Sequence, residues 1–123
     1  NTIFFVDACF SGRTRNNKLL VAGSRPISIV STDSKIPSNI SVLTASSGDE
    51  YSSSLPEANH GLFSYSLMKG LEGLADDNND KIITIKELYN FTKKMVIEES
   101  IRLGSKQSPQ LLGNDKKVIA KIK

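Results

Sequence analysis

The chain opens on the stretch FFVDACFSG, residues 4–12, in which an apolar run ends in an acid, a cysteine and a turn. Residues 2–8 predict a buried strand, because their apolar side chains follow one another without alternation, as in a strand covered on both faces. Ser11 and Gly12 end the strand. Cys9, the single cysteine of the chain, therefore lies at a strand end, where it is either a core thiol or an exposed nucleophile.

The composition is that of an ordinary globular protein and excludes several partners. A chain of 123 residues is one domain or part of one. The net charge of +3 comes from scattered lysines and arginines without interleaved aromatic residues, so no nucleic-acid partner is expected. No apolar run approaches the ~18 residues of a membrane span, so no membrane partner is expected. One cysteine cannot form an internal disulfide, so the fold does not depend on oxidation.

The rest of the chain predicts two helices and further strands. Residues 40–45 form a second apolar strand, and residues 60–74 predict a helix with a broad apolar face. Thr84 and Glu87 fit a capping box that opens a second helix, which Gly104 can end. The remaining segments are a final strand at 118–122, an extended stretch at 109–112, a short strand at 27–30, and long loops at 11–38 and 46–59. This order predicts an α/β fold with a mostly parallel sheet.

Asp7 strengthens the reading of Cys9 as a nucleophile. Side chains two residues apart lie on the same face of a strand, so Asp7 and Cys9 point to the same side. A carboxylate at the mouth of an apolar strand is costly to bury without a partner or a ligand. A thiol at a strand end followed by a tight turn can also meet backbone N–H groups that stabilise an oxyanion.

The motif Asp-Ala-Cys-Phe-Ser-Gly, residues 7–12, resembles the nucleophile motif of the caspase-like cysteine peptidases, which comprise caspases, metacaspases and bacterial orthocaspases. Further blocks resemble the bacterial pattern in the same order, so the resemblance covers nearly the whole chain: LTASS at 43–47, HGLFSY at 60–65, Ala75-Asp76 with Ile83-Thr84 and Glu87-Leu88, and QSP at 107–109. The resemblance implies a three-layer α/β sandwich with a mostly parallel central sheet and the nucleophile at the carboxyl end of a central strand. Residues 1–123 would be the C-terminal part of one such catalytic domain.

The resemblance also implies where the general base lies. In caspase-like peptidases the catalytic histidine precedes the cysteine by roughly 50 residues, which places it before Asn1. The single histidine, His60, follows Cys9 and is expected to act locally, either by hydrogen bonding at a helix start or by packing beside the substrate loop. The chain begins within a strand and without an initiating Met, so we expect a fragment that is inactive until the N-terminal part of the same domain supplies the base. The alternative function is an inactive caspase-like scaffold.

The residues around the expected pocket predict cleavage after Arg or Lys. Caspases bind a substrate Asp with an Arg and with the Gln of their nucleophile motif. Asp7 stands at that Gln position, and the loop at 48–54 contains no Arg. The candidate substrate-binding residues are Asp7, Ser46, Ser47, Asp49 and Ser52, although Asp49 has the alternative of a solvated loop acid. Basic residues at 13–25 are either a solubilising loop or a site of self-cleavage.

One further segment resembles a calcium-binding loop. Residues 76–87 match the twelve-residue EF-hand template at positions 1, 3, 5 and 12. The candidate ligands are Asp76, Asn78, Asp80 and Glu87. Lys81 stands where the template requires Gly, and an Asp/Asn-rich turn followed by a capping box explains most of the same residues. No other cofactor is expected.

Overall fold

The computed structural model describes residues 2–7, 36–47, 54–55 and 60–123. Several predictions concern residues outside these ranges: the nucleophile Cys9, the basic residues 13–25, the strand at 27–30, Asp49 and Ser52. The elements in chain order are β1 (Thr2–Val6), β2 (Ile40–Thr44), β3 (Ser54–Leu55), β4 (His60–Gly61), α1 (Leu62–Lys69), a π-helical turn (Gly70–Leu74), β5 (Ile82–Thr84), α2 (Ile85–Arg102), β6 (Gln110–Gly113) and β7 (Val118–Lys121). The described part of the chain is thus α/β, as the sequence predicts.

The main sheet is mixed, so the prediction of a mostly parallel sheet is wrong. Its strand order is β1-β2-β6. β1 pairs with β2 in parallel, whereas β6 runs antiparallel to β2 and places Gln110 opposite Thr44. Two helices, rather than one, separate β2 from β6. The chain therefore enters β6 at the edge of the sheet where β2 ends, and β6 runs in the direction opposite to β2.

β1 is less buried than its continuous apolar sequence predicts. Phe4 is 49% exposed and Phe5 is 43% exposed, although their side chains lie on opposite faces of the strand. Within the described ranges β1 pairs only with β2, so it forms an edge of the three-stranded sheet. The prediction of a strand covered on both faces does not hold for this part of the chain.

The helix that the sequence predicts over residues 60–74 begins at Leu62, because His60 and Gly61 form β4, and its apolar face is buried as predicted. Phe63 and Leu67 are buried against Leu43 of β2 and Leu88 of α2, and Leu62 is buried with Val96 of α2 in a second cluster. The helix continues into the π-helical turn, where Gly70 lets the backbone approach α2 closely. A Cβ on Gly70 would lie 2.6 Å from Leu88 Cδ1. Gly73, with a φ of 123°, ends the helical segment in a conformation that favours glycine.

Helix α2 begins and ends where the sequence predicts. The backbone N–H of Glu87 donates to Thr84 Oγ1 at 3.2 Å, and the N–H of Thr84 donates to Glu87 Oε2 at 2.9 Å. This reciprocal pair is the predicted capping box. At the other end Gly104 adopts a φ of 73° and its N–H donates to the carbonyl of Ile101.

Among the described residues, two further sheets of two strands each, β3 with β4 and β5 with β7, were not predicted. β7, expected as a final strand, pairs antiparallel with the short β5 rather than with the main sheet. β5 covers only three residues between the acidic turn and the capping box. Such a segment is too short to show a period in the sequence, and its pairing depends on residues far along the chain.

The core joins the sheet to both helices. Leu43 from β2 packs with Phe63 and Leu67 from α1 and with Ile85 and Leu88 from α2. Each fully buried side chain of this kind contributes about 1.5–3 kcal/mol relative to an exposed one. This core holds the carboxyl end of β2 against the start of α1. No helical segment in the described ranges has both the length and the apolar character that a membrane crossing requires.

Candidate active site

Four segments meet at one edge of the main sheet. Because β1 and β2 are parallel, both end at this edge, where the N–H of Ala45 donates to the carbonyl of Val6 at 2.9 Å. β6 begins at the same edge, so the preceding segment 107–109 also lies there. The start of α1 supplies the fourth segment through Ser64. We call this region the strand-end edge; it is defined by Asp7, 45–47, Ser64 and 107–109.

Asp7 lies directly after β1 and contacts helix α1. Ser64 Oγ donates a hydrogen bond to Asp7 Oδ2 with an O–O distance of 2.6 Å. Both residues are half-buried. A half-buried carboxylate requires polar contacts, and Ser64 supplies one of them. The arrangement gives the strand-end edge a negative charge held in a defined position.

The candidate serines after β2 differ in their surroundings. Ser46 is 4% exposed, and its Oγ has no hydrogen-bond partner within the described ranges. Its carbonyl accepts a hydrogen bond from Thr44 Oγ1 at 3.3 Å. Ser47 is half-buried. The structure thus brings Ser46 and Ser47 to the same edge as Asp7, with the Ser46 side chain directed into the protein.

Segment 107–109 reinforces the edge, and sequence reasoning assigned it no role. Gln107 is 1% exposed, and its Nε2 donates to the carbonyl of Ala45 at 2.8 Å. Pro109 is also buried. In the sequence Gln107 stands two residues before Pro109, and no local pattern there indicates that its side chain is buried. Gln107 ties the start of β6 to the end of β2, which fixes the backbone next to Ser46.

His60 lies in the short strand that leads into α1. β4 pairs antiparallel with β3, with His60 opposite Leu55. The helix begins two residues later at Leu62. This location agrees with the prediction that His60 belongs to the segment that opens the helix. Cys9, Asp49 and Ser52 lie outside the described residues, so their roles stay predictions.

The acidic loop uses its oxygens for its own backbone. Asp76 accepts hydrogen bonds from the N–H groups of Asp80 and Lys81, and Asp80 Oδ1 accepts one from Ile82. Lys81 adopts a φ of 64°, at the position where the EF-hand template requires Gly. Glu87 Oε2 is bonded within the capping box. Over the described ranges, no three acidic, His or Cys side chains are grouped as a metal site would require. These hydrogen bonds favour the alternative of an Asp/Asn-rich turn followed by a capping box.

Other features of the surface lie apart from the strand-end edge. A cavity of about 240 Å³ lies between the π-helical turn and α2, and none of its lining residues, which include Leu74, Glu87 and Phe91, belongs to that edge.

On α1, a hydrogen bond from Lys69 to Glu72 and the negative charge of Glu72 raise the pKa of Lys69. Because this pair is on the surface, solvent screening makes its contribution to stability small.

The chain is similar to a known family of proteins. Among models of protein families, the one described as Caspase domain matches residues 1–118. No curated protein and no solved structure shows significant similarity to the chain. The match extends from β1 to the first residue of β7, so it includes every segment of the strand-end edge.

Proposed function

Because this chain belongs to the caspase domain family, a family of cysteine peptidases, we propose that it carries the nucleophile of an endopeptidase that cleaves after Arg or Lys. The observation that carries the proposal is the carboxylate of Asp7 at the strand-end edge, held by Ser64 at 2.6 Å. Asp7 is two residues before Cys9 in the sequence. A fixed negative charge near the nucleophile favours a cationic substrate side chain and repels an acidic one.

The proposed reaction is acyl transfer through Cys9. The thiolate sulfur forms a bond to the scissile carbonyl carbon, and the backbone N–H of Cys9 helps hold the oxyanion. An imidazole from the N-terminal part of the domain, in the family order upstream of Asn1, protonates the leaving amine. Water activated by the same imidazole then hydrolyses the thioester, which releases the acid product and restores the thiol.

Substrate selection is proposed to depend on a charged hydrogen bond. A hydrogen bond to a charged group contributes about 1.5–3 kcal/mol, which corresponds to a preference of roughly tenfold to a hundredfold. Asp7 is the proposed partner of the substrate Arg or Lys. Ser47, Asp49 and Ser52 are proposed to line the path of the substrate backbone, which would lie extended along residues 46–53.

We further propose that the N-terminal part of the same domain covers β1. Phe4 and Phe5 are each more than two-fifths exposed, on opposite faces of an edge strand. Adding a neighbouring strand and helices on both faces would bury these two rings. The same contact would bring the upstream imidazole to the carboxyl end of β1. Residues 1–123 are accordingly proposed to be the C-terminal part of one catalytic domain.

The proposal is tested on the full-length protein with matched peptides that end in Arg, Lys or Asp before the scissile bond. We expect cleavage of the Arg and Lys peptides, no measurable cleavage of the Asp peptide, and loss of turnover in Cys9→Ala. His60→Ala serves as a control and should retain turnover. Preferential cleavage of the Asp peptide would remove Asp7 from its proposed role.

An inactive scaffold is the other candidate function. A folded full-length protein that cleaves none of the three peptides, and whose Cys9 reacts with iodoacetamide no faster than a free thiol, would favour the scaffold. A base beside the cysteine raises its thiolate fraction and therefore its rate of alkylation. The alkylation rate thus separates an intact catalytic pair from a cysteine without a base.

A further inference from the structure

The hydrogen bond between Ser64 and Asp7 also bears on which of the two basic side chains, Arg or Lys, the site prefers. We propose that Ser64 is a positioning residue that fixes the plane of the Asp7 carboxylate, and that this fixed plane makes the site prefer Arg over Lys. The inference rests on the proposed cleavage after basic residues. Ser64 itself is not expected to touch the substrate; it acts through Asp7.

The geometry of the contact fits a strong hydrogen bond. The distance of 2.6 Å between Ser64 Oγ and Asp7 Oδ2 lies in the range of O–H groups bonded to a carboxylate. The two residues are 57 positions apart in the sequence, so the bond depends on the packing of α1 against the sheet. An isolated loop carboxylate would rotate freely, whereas this one is held by a donor from another element.

The donor is carried by a rigid part of the molecule. Ser64 is the third residue of α1, and the two residues before it are buried at 0% and 1% exposure, namely Leu62 and Phe63. Ser66 and Leu67, which follow, are also buried. Because the helix cannot shift without disrupting these contacts, the hydroxyl of Ser64 holds a constant position relative to β1.

The chemistry of the two basic side chains explains why orientation matters. The guanidinium of Arg is planar and pairs with a carboxylate through two parallel N–H···O bonds, which require the two planes to coincide. The ammonium of Lys is a compact charge that binds a carboxylate from many directions. A carboxylate offers about four lone-pair positions, and the hydrogen bond from Ser64 occupies one of them. Fixing the plane of the Asp7 carboxylate therefore benefits Arg more than Lys.

The test measures kcat and KM of the full-length protein with two peptides that differ only in Arg or Lys at the cleavage site. Ser64→Ala is expected to lower kcat/KM for the Arg peptide on the order of tenfold, mainly through KM, and for the Lys peptide by less than about threefold. Ser66→Ala is the matched control, because its Oγ donates to the carbonyl of Leu62 within the same helix. It should leave the Arg/Lys ratio unchanged.

Two further variants separate positioning from a loss of folding. Ser64→Thr and Ser64→Val have nearly the same shape but differ in the hydroxyl, so the Thr variant should keep the Arg/Lys ratio and the Val variant should lower it. Equal losses for both peptides would indicate a purely structural role and overturn the inference. An Arg/Lys ratio of kcat/KM that stays constant in every Ser64 variant, while basic peptides are still cleaved, would also overturn the inference. In that case the proposed function would stand. A wild-type protein that cleaves neither basic peptide overturns both.

Discussion

Gln107 joins two segments of the strand-end edge at the scale of a single residue. Its Nε2 donates to the carbonyl of Ala45 across 62 positions of sequence, at a site that solvent does not reach. Buried amide groups are retained only where they are hydrogen-bonded, because an unsatisfied group keeps its full cost of desolvation. Gln107 therefore fixes the backbone after β2, where the substrate is proposed to lie.

Replacing Gln107 by Leu should lower the free energy of unfolding of the full-length protein by about 1–3 kcal/mol, because the Ala45 carbonyl would remain buried without its donor. The measurement is denaturant unfolding followed by circular dichroism. Gln110→Leu is a matched control, since Gln110 is only half-buried and its Nε2 lies 3.3 Å from the carbonyl of Ser108. A loss in the control as large as in Gln107→Leu would contradict this reading.

Asp7 illustrates what the sequence reveals about a site and what it omits. The pattern of residues 4–12 indicates that an acid stands at the end of an apolar strand and requires a polar contact. The structure agrees with that location and identifies Ser64 as a donor. The identity of this donor could not be predicted, because it lies on a helix 57 positions further along the chain.

At the scale of the element, two threonines have opposite effects on helix α2: Thr84 precedes the helix as its N-cap, and Thr92 lies within it. Thr84 caps the helix and exchanges hydrogen bonds with Glu87. Thr92 lies in the middle of the helix at 0% exposure, and its Oγ1 has no hydrogen-bond partner among the residues that the structure describes. One hydroxyl therefore stabilises the helix, whereas the other is buried at a cost.

The same substitution at the two positions should therefore change stability in opposite directions. Thr84→Val should lower the free energy of unfolding by about 1 kcal/mol through loss of the cap. Thr92→Val keeps the shape of the side chain and removes a buried hydroxyl that has no partner among the described residues, so it should raise the free energy of unfolding by up to about 1 kcal/mol. Thermal unfolding of the full-length variants measures both. Destabilisation by Thr92→Val would indicate that its hydroxyl has a partner in the folded protein.

At the scale of the whole molecule, the order of elements explains the direction of the strands. Passing from β2 through α1 and α2 returns the chain to the edge where β2 ended, and β6 runs back from there. The segment 107–109 is thereby brought beside residues 45–47, on the side of β2 opposite β1. The mixed sheet is thus the reason that four segments distant in sequence form one edge.

Calcium should leave the melting temperature of the molecule unchanged at millimolar concentration. The carboxylates of Asp76 and Asp80 already accept backbone N–H groups, and Glu87 is engaged in the cap of α2. Scanning calorimetry in calcium, in magnesium and in chelator measures the effect, since a ligand that binds the folded state raises the melting temperature. A rise that is specific to calcium and is removed by Asp76→Asn would contradict this expectation.

The sequence by itself determined the elements whose signals are local. The capping box of α2, its end at Gly104 and the apolar face of α1 all depend on residues within about four positions of one another. The motif around Cys9 and the blocks that follow it likewise determined the family, because a linear pattern needs no folding to be read. These features agree with the structure or with the family match.

Only the tertiary structure decided the direction of β6, the pairing of β5 with β7 and the contacts of Asp7 and Gln107. It also decided the exposure of Phe4 and Phe5, which the apolar sequence alone had indicated to be buried. Each of these strand pairings and contacts joins residues tens of positions apart, and local propensity carries no information about such pairs. The pairings, contacts and exposures depend on which apolar faces of the strands and helices are buried together when the whole chain folds.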